Sequence, residues 1–229
     1  MPAGARDGAR VWIAGAELRH LRTLRLGPGD RLIVFDDGGA EHEVVLERVG
    51  AQAAEAAIVG SRRTTRESPL DLVLAPALLK GSKLDLVVEK ATELGVRRIA
   101  PFVSRHAIGR GGHVERWRRI ALAAAKQSAR TTVPAVDAPV PLAMLLAAPW
   151  PGLRLLAWEE EGSRRVGALP EAAAAVVIVV GPEGGFATDE VEAARAAGFT
   201  TVGLGGRVLR AETAAIVAAT LCQHRWGDG

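Results

Sequence analysis

The sequence contains no tyrosine, one cysteine and two methionines among its 229 residues. Without tyrosine, no phenol ring is available to stack on a nucleic-acid base. The single cysteine, Cys222, excludes an intrachain disulfide and suits a reducing compartment. Because 48% of the residues are hydrophobic, a core is expected without help from a disulfide or a structural metal.

Long apolar runs are also missing. The longest, at 172–180, has about half the length that a bilayer-spanning helix requires. The first fifteen residues lack the sustained apolar segment of a secretory signal. We therefore expect a cytoplasmic protein with no membrane partner.

Several motifs of common enzyme classes are absent. The sequence has neither a GxxxxGK[ST] phosphate loop nor a GxSxG nucleophile elbow. Gly203–Val208 resembles GxGxxG only if valine replaces the last glycine, and the expected acidic residue about 20 positions later would lie near Asp228. The five histidines show no ligand spacing with each other or with Cys222, so no metal site is expected.

Positive charge is concentrated in the front part of the chain. Residues 1–130 contain 22 Lys and Arg against 15 Asp and Glu, whereas residues 131–229 contain 7 against 11. Arginine supplies 25 of the 29 cations; a GC-rich coding sequence explains part of that preference but not the asymmetry. Since guanidinium groups pair with phosphates and stack on bases, the asymmetry predicts a polyanionic partner.

The first sixty residues have a strand-like pattern. Arg31–Phe35 and Glu43–Glu47 are β-rich runs separated by an Asp-Gly turn at 36–39, which is typical of a hairpin. Between turns, leucines three apart predict a short helix over residues 16–25 with an arginine face. A small β-barrel with one helix is the simplest architecture that fits this pattern.

From Leu70 onward, predicted strands and helices alternate, which indicates a mostly parallel α/β sheet. The polar segment Gly60–Pro69 is the predicted linker, so the predicted domains are residues 1–66 and 67–229. The predicted strands are Leu70–Ala75, Arg98–Val103, Leu153–Trp158, Ala175–Val180 and Thr200–Leu204. The predicted helices are Ser82–Leu94, Val114–Ala129, Leu142–Ala147, Asp189–Ala197 and Glu212–His224. The predicted helix caps and helix-ending glycines are Ser82, Thr188, Gly95 and Gly198.

Two glycine-rich segments each follow a predicted strand and precede a predicted helix. They are Gly181–Phe186 and Leu204–Thr213. The carboxyl ends of parallel strands are where α/β sheets bind ligands, and glycine lets the backbone approach a ligand closely. A tight turn explains either segment alone, but two of them at the ends of neighbouring strands predict one shared pocket with an apolar wall.

These segments, GPEGGF at 181–186 and LGGRVLRAETA at 204–214, resemble the RsmE family of 16S ribosomal RNA uridine N3-methyltransferases. Val208 stands where the family usually has isoleucine. The resemblance runs in order over nearly the whole chain. It continues through His20–Arg25, Leu79–Lys83, Glu89–Val96 and Ala124–Ser128.

The resemblance implies a C-terminal SPOUT α/β domain with a mostly parallel sheet and a deep trefoil knot, preceded by a small PUA-like β-barrel. It implies a homodimer with the cofactor site at the subunit interface. The implied reaction is S-adenosyl-L-methionine-dependent methylation of N3 of a single uridine, 1498 in the conventional rRNA numbering, in the small ribosomal subunit.

By the same resemblance, cofactor contacts are assigned to the two glycine-rich segments and to a tryptophan that follows the preceding strand. Core packing is the alternative role for that tryptophan. The assigned residues are Trp158, Gly181, Pro182, Glu183, Gly184, Gly185, Leu204, Gly205, Val208, Leu209 and Thr213.

The chemistry at N3 points to a second set of residues. Loss of the N3 proton leaves an anion over the uracil ring and its carbonyls, which an arginine would stabilise. Arg210 and Arg130 are the candidates for that role, and Glu183 and Glu212 are the candidate proton acceptors. Pairing of Arg210 with Glu212, and placement of Glu212 at a helix N-terminus for its favourable field, are the alternatives.

RNA contacts are predicted on basic residues that recur along the front part of the chain. Each taken alone is better explained as a solvated surface charge, so the cluster carries the prediction. They are Arg19, Arg22, Arg25, Arg62, Arg63, Lys80, Lys83, Arg105 and Arg110. A ribose 2′-O-methyltransferase of the same fold and a non-catalytic RNA-binding assembly factor are the alternative functions.

Overall fold

The structure is a computed structural model that describes residues 6–35, 40–63, 67–107, 113–169 and 171–229. The chain forms two compact units, Met1–Glu67 and Ser68–Gly229. The predicted turn at 36–39 and the predicted RNA contact Arg110 lie outside the described residues. Within those residues, no helix combines the length and apolar character needed to cross a membrane.

The first unit is an antiparallel sheet with one helix. Its sheet order is β1-β2-β5-β4-β3, and register shifts beside Val44 and Arg48 mark bulges that bend β4. Leu18 and Leu21 of the helix are buried beside the inward residues of the strands. The elements are β1 Arg6–Asp7, β2 Arg10–Ala14, α1 Gly15–Thr23, β3 Arg31–Phe35, β4 Ala40–Val49 and β5 Ala53–Arg63.

The boundaries in this unit differ from the prediction at one place. Strand β5 continues to Arg63, so Gly60–Arg63 is strand and not linker. Its backbone pairs with Ala40–Glu43 of β4, and this pairing outweighs the polar composition of the segment. The helix predicted over residues 16–25 is confirmed, but it ends at Thr23. The chain then turns at Arg25, whose φ of 58° lies in the left-handed region.

The second unit is a three-layer α/β domain. Its six-stranded sheet is parallel throughout, in the order β13-β11-β12-β6-β7-β9, and β8 pairs with β10 beside it. The strands are β6 Asp71–Pro76, β7 Arg98–Ile99, β8 Phe102–Val103, β9 Ala135–Val136, β10 Val140–Pro141, β11 Leu153–Ala157, β12 Ala175–Val180 and β13 Thr200–Val202. The helices are α2 Lys83–Glu93, α3 Val114–Gln127, α4 Leu142–Ala147, α5 Thr188–Ala196 and α6 Ala211–Trp226.

The central strand β12 is buried on both faces, as its unbroken apolar run predicts. Val176, Ile178 and Val180 face the core formed with α2, α3 and α6, whereas Val177 and Val179 face α4 and α5. Burying a side chain of this size stabilises the folded state by about 1.5–3 kcal/mol, before the loss of conformational entropy is subtracted. The two cores hold the sheet between helices and fix where its strands end.

Two local predictions are wrong. The predicted strand Arg98–Val103 is split, because Pro101 offers no N–H for a ladder; Phe102 instead begins the small sheet with Val140. Thr188 does not cap α5 but is its first residue; the backbone N–H of Ala187 donates to the Glu190 carboxylate at 3.0 Å. Ser82 precedes α2 without a capping bond from its side chain.

Both glycines predicted to end helices do so. Gly95 and Gly198 follow α2 and α5 with φ of 78° and 83°, in the left-handed region that favours glycine. The backbone N–H of Gly95 donates to Thr92, and that of Gly198 to Arg195. Each glycine therefore turns the chain from a helix into the strand that follows.

A buried glutamine ties the C-terminal helix to the start of the unit. Gln223 is 2% exposed; its amide nitrogen donates to the Leu94 carbonyl at 2.8 Å, and its amide oxygen accepts from the Ser68 hydroxyl at 2.7 Å. The Ser68 oxygen in turn accepts from the backbone N–H of Leu70 at 3.1 Å. This chain of bonds fixes α6 against α2 and the entry to β6.

Replacing Gln223 with Ala should lower the free energy of unfolding by about 1–3 kcal/mol, because buried polar partners lose their bonds. Gln127→Ala is the matched control: the same change on an exposed helical residue should alter stability by about 0.5 kcal/mol or less. Urea unfolding followed by tryptophan fluorescence measures both. Equal losses for the two variants would contradict the role given to Gln223.

Candidate active site

A cavity of about 630 Å³ lies at the carboxyl ends of β11, β12 and β13. Because these strands are parallel and adjacent, their following loops leave the sheet at one edge. The two glycine-rich segments do share this cavity, but β11 lies between their strands, which are therefore not direct neighbours. The loop 158–165 after β11 supplies a third wall that the sequence indicated only at Trp158.

The loop after β12 contributes Gly181, Pro182, Glu183 and Gly185 to the cavity wall. Gly185 has φ 66°, and a Cβ there would overlap a Glu159 carboxylate oxygen. The Glu159 carboxylate is exposed and could move aside, so it is the left-handed conformation that favours glycine at this position.

Gly184 does not line the cavity, contrary to the assignment from the sequence. A Cβ on Gly184 would point to His106, 3.0 Å from its Cβ. The His106 Nδ1–H donates to the carbonyl of Gly184 at 3.1 Å and is 3.3 Å from that of Gly185. Gly184 therefore allows the segment around His106 to pack behind the loop.

Arg105 belongs to the same supporting segment. Its guanidinium pairs with both carboxylate oxygens of Asp189, at 2.9 and 2.5 Å, and its backbone N–H donates to Glu190 at 2.9 Å. The hydrogen bonds from Arg105 hold the pKa of Asp189 below its ordinary value. Arg105 was predicted to contact RNA, but its guanidinium already holds the start of α5.

The loop after β13 passes closely beneath the loop 158–165. The Gly203 N–H donates to the Arg164 carbonyl at 2.8 Å, and a Cβ on Gly203 would overlap the carbonyl oxygen of Glu161. Only glycine allows this approach of two backbones. The residues that follow line the cavity; they are Leu204, Gly205, Gly206, Arg207, Val208, Leu209 and Arg210.

Two residues of this segment differ from their predicted places. Thr213 is exposed on α6 and is not part of the cavity wall. Val208 lines the cavity but is 88% exposed, so it forms the mouth and not a closed apolar wall. Leu204 and Leu209 are partly buried and supply the apolar surface inside.

Trp158 combines the two roles that the sequence left open. It lines the cavity and also packs against the core between the sheet and α4 and α5. The guanidinium of Arg195 lies 5.1 Å from the centre of its ring, a cation–π contact. The ring is therefore held in place independently of any ligand.

Glu161 organises the third wall. Its carboxylate accepts from the hydroxyls of Ser163 and Thr201, both at 2.7 Å, and from the backbone N–H groups of Ser163 and Arg164. These bonds, led by the one from Ser163, lower the pKa of Glu161 to about 2. Because Thr201 is in β13, Glu161 joins the loop 158–165 to the strand that feeds the third loop.

Lys83 and two carboxylates form an ion cluster at the cavity. The Lys83 ammonium lies 2.8 Å from a Glu183 oxygen and 3.5 Å from a Glu212 oxygen. The hydrogen bond to Glu183 raises the pKa of Lys83. Burial disfavours the ionised form of Glu183, yet the bonds from Lys83 and the Lys80 backbone hold its pKa below the ordinary value. Lys83, predicted to contact RNA, is thus paired within the site.

Arg210 lines the cavity immediately before α6. Its side chain is exposed and has no hydrogen-bond or ion-pair partner among the described residues, so the alternative of a pair with Glu212 does not occur. An unpaired guanidinium on a cavity wall is available to a ligand.

Arg130 is placed elsewhere, contrary to its candidate catalytic role. It is 4% exposed, and its guanidinium donates to the carbonyls of Thr92 and Val96 at 2.8 and 2.9 Å. Thr92 lies in the last turn of α2 and Val96 lies beyond it, so Arg130 joins its own segment to the C-terminal end of α2. Arg130 is a structural residue of the domain.

The predicted RNA contacts of the first unit divide into two groups. Arg19 and Arg25 are exposed without a side-chain partner among the described residues. Arg22 donates to the carbonyls of Gly50 and Ala51, and Arg62 pairs with Glu41 at 2.7 Å. The side chain of Arg63 lies outside what the structure describes.

Replacing Glu161 with Gln should flatten the acid dependence of stability. Because its folded-state pKa is about 2, against an ordinary value of 4.5, its contribution is complete above 4.5 and is lost as pH falls toward 2. The variant should melt below the wild type at neutral pH, and the difference should shrink between roughly pH 5 and pH 3. Thermal unfolding of the full chain across this range measures it.

Glu160→Gln is the control for this prediction. Glu160 is exposed, and its side chain has no partner among the described residues. The control should follow the wild type throughout the range. A difference for Glu161→Gln that stays constant from neutral to acid pH would show that its carboxylate charge is not what stabilises the loop.

The sequence matches two families of RNA methyltransferase domains, one for each unit of the structure. Residues 66–223 match the family described as RNA methyltransferase domain, and residues 13–59 match the RNA methyltransferase PUA domain. The ribosomal RNA small subunit methyltransferase E of Synechocystis is 36% identical, with 92% of this chain and 71% of that protein covered. The protein of that name from Mesomycoplasma hyopneumoniae is 32% identical over 90% of both chains.

Solved structures of methyltransferases resemble this chain over its whole length. The ribosomal RNA small subunit methyltransferase E from Neisseria gonorrhoeae, bound to S-adenosyl methionine, has a TM-score of 0.92 and 34% identity, with 100% of this chain and 97% of that chain covered. A putative methyltransferase from Legionella pneumophila, in complex with the same cofactor, has a TM-score of 0.90 and 30% identity over the same shares. The predicted fold class, a SPOUT domain behind a PUA-like domain, is confirmed, and the chain belongs to the ribosomal RNA small subunit methyltransferase E family.

Proposed function

We propose that the protein methylates N3 of a single uridine of 16S rRNA, conventionally position 1498, with S-adenosylmethionine as the donor. The observation that carries this proposal is one cavity whose wall holds five glycines, a lysine-paired carboxylate and three arginines, Arg210 among them, that have no side-chain partner among the described residues. The relatives named above match at least 90% of this chain, and two of the solved structures contain this cofactor.

The cavity fits the proposed cofactor. Its volume lies in the range of sites that enclose molecules of this size. Leu204, Leu209 and Trp158 offer apolar surface, while Gly181, Gly185 and Gly205 expose backbone polar groups without side-chain bulk. The bound cofactor would supply an electrophilic methyl group on a sulfonium. We do not include Gly184 and Thr213 among the direct contacts, because neither lines the wall.

Glu183 is the better placed of the two candidate proton acceptors. It lines the cavity, and its side chain is 24% exposed, whereas Glu212 is 13% exposed and lies behind it. The uracil N3–H bond would break and its proton would pass to a Glu183 oxygen. The electron pair left on the ring would form the N–CH3 bond as the methyl–sulfur bond of the donor breaks, which leaves a neutral thioether. The uridine must be presented unpaired, because N3 is blocked in a duplex.

Arg210 would stabilise the anion formed by that proton loss. Its guanidinium is free to donate to the uracil carbonyls, over which the negative charge is spread. Preorganised donors of this kind act most strongly in a site that excludes water. Arg210 therefore serves the transition state more than the binding of RNA.

RNA binding is proposed for the front part of the chain. Arg19, Arg25 and Lys80 are exposed and carry no side-chain ion pair among the described residues. Such contacts to phosphates give salt-dependent affinity with little sequence preference. In this proposal residues 1–66, together with Lys80, bind the RNA, and residues 67–229 carry out the reaction in the cytoplasm.

A homodimer is part of the proposal. The cavity mouth includes Val208, an apolar residue that is 88% exposed in the single chain. A second subunit would bury such a residue and exclude water from the site, in agreement with the family resemblance. Sedimentation measurements test the dimer directly.

A strain that lacks the gene tests the function. Primer extension across its 16S rRNA should lose a single stop at one uridine, since a methyl group on N3 blocks reverse transcription. Calorimetry with S-adenosylhomocysteine and the purified protein separates an enzyme from an assembly factor. An unchanged stop pattern together with no binding of the cofactor product would overturn the proposal.

Arg210→Ala should reduce methyl transfer by about 10²–10³-fold, because one preorganised donor to the developing anion is lost. Its affinity for rRNA should change by less than about threefold, since one phosphate contact at most is involved. Arg119→Ala, on an exposed face of α3, is the matched control and should retain activity. Single-turnover methylation and filter binding measure the two effects. Equal losses of rate and affinity would identify Arg210 as a phosphate contact only.

A further inference from the structure

Lys83 is in contact with two different walls of the cavity. It is the first residue of α2, and it bonds Glu183 in the loop after β12 at 2.8 Å. The same ammonium lies 3.5 Å from Glu212 in the first turn of α6. One cation thus joins the glycine-rich loop to the helix that begins directly after Arg210.

Glu212 depends on this cation. Its side chain is 13% exposed, and its Oε2 is buried without a hydrogen-bond partner among the described residues. Lys83 is the cation within ion-pair distance of that oxygen. A buried carboxylate without its countercharge is costly, so the ammonium is held between the two acids.

The same geometry argues against a phosphate-binding role for Lys83. With two carboxylates around one ammonium, the cluster carries a net negative charge, which repels a phosphate. Lys80, three residues earlier, offers the contrast, because its side chain is exposed and has no partner among the described residues.

We propose that Lys83 is a positioning residue for the methylation: it orients the Glu183 carboxylate toward the substrate and holds the loop 181–185 against the start of α6, directly after Arg210. The inference rests on the proposed function of the site. Since a misplacement of about 1 Å costs about 100-fold in rate, loss of this bridge slows the reaction without weakening RNA binding.

Kinetics of Lys83→Met test the proposal. Its kcat should fall about 100-fold, while its rRNA affinity and the salt dependence of that affinity stay at the wild-type values. Lys80→Met should show the opposite pattern, with weaker binding and a salt slope reduced by about one. Lys83→Arg, which keeps the charge, should recover part of the rate. A Lys83→Met protein that resembles Lys80→Met would overturn the proposal.

A second substitution distinguishes the effect of Lys83 on stability from its effect on the position of Glu183. Lys83→Met leaves the Glu212 charge uncompensated, so the variant is expected to be less stable. In Lys83→Met/Glu212→Gln that charge is removed; the melting temperature should recover while kcat stays low. Recovery of kcat together with stability would show that Lys83 has only a structural role and would overturn the proposal.

Titration of Glu183 gives a readout that does not require activity. Carbon NMR of the side-chain carboxyl in the cofactor-free protein should show the pKa of Glu183 rising in Lys83→Met and rising less in Lys83→Arg. The other charged groups of the cluster and the cavity are the same in these two single variants. They are Glu159, Glu161, Arg165, Arg207, Arg210 and Glu212. An unchanged titration would overturn the proposed contact.

The outcomes distinguish this inference from the function on which it rests. If the wild-type protein fails to methylate N3 of uridine, the proposed function is wrong, whatever Lys83 does. If the wild type is active and Lys83→Met is equally active, the function stands and the positioning role is refuted.

Discussion

The carboxyl ends of three adjacent parallel strands determine where most of the cavity wall lies. β13, β11 and β12 are parallel neighbours, so the loops that follow them converge at one edge of the sheet. The approach of Gly203 beneath Glu161 closes two of these loops on each other, and the Glu161 carboxylate bonds Thr201 to hold them there. The buried faces of β12 keep the three strand ends in fixed register.

Because these loops converge, ordinary side chains and backbone groups are enough to form a site for methyl transfer. The described residues include no cluster of three or more His, Cys, Asp and Glu suited to a metal ion. The wall combines backbone, apolar surface, arginines without a side-chain partner among the described residues, and a carboxylate paired with Lys83. Placing charges where charge develops is sufficient for such a reaction, since the cofactor supplies the electrophile.

The sequence predicted the elements better than their contacts. The apolar run Ala175–Val180 and the glycines at 95 and 198 are local signals, and the structure agrees with them. The structure gives Arg130 and Lys83 partners that the sequence did not indicate. An arginine that binds carbonyls, or a lysine between carboxylates, cannot be told in sequence from one that contacts a substrate or RNA. The sequence analysis identified only Trp158 in the loop after β11. This loop lines the cavity because β11 lies between β12 and β13, and local composition does not predict the order of strands in a sheet.

The most direct test of the central claim is the identity of the methylated nucleoside. Small-subunit rRNA is incubated with the protein and isotopically labelled S-adenosylmethionine, then digested to nucleosides and analysed by mass spectrometry. The account predicts labelled 3-methyluridine, with the added mass on the base and one modified site per rRNA. Label on the ribose, or no label in an otherwise folded protein that binds the RNA, would contradict it.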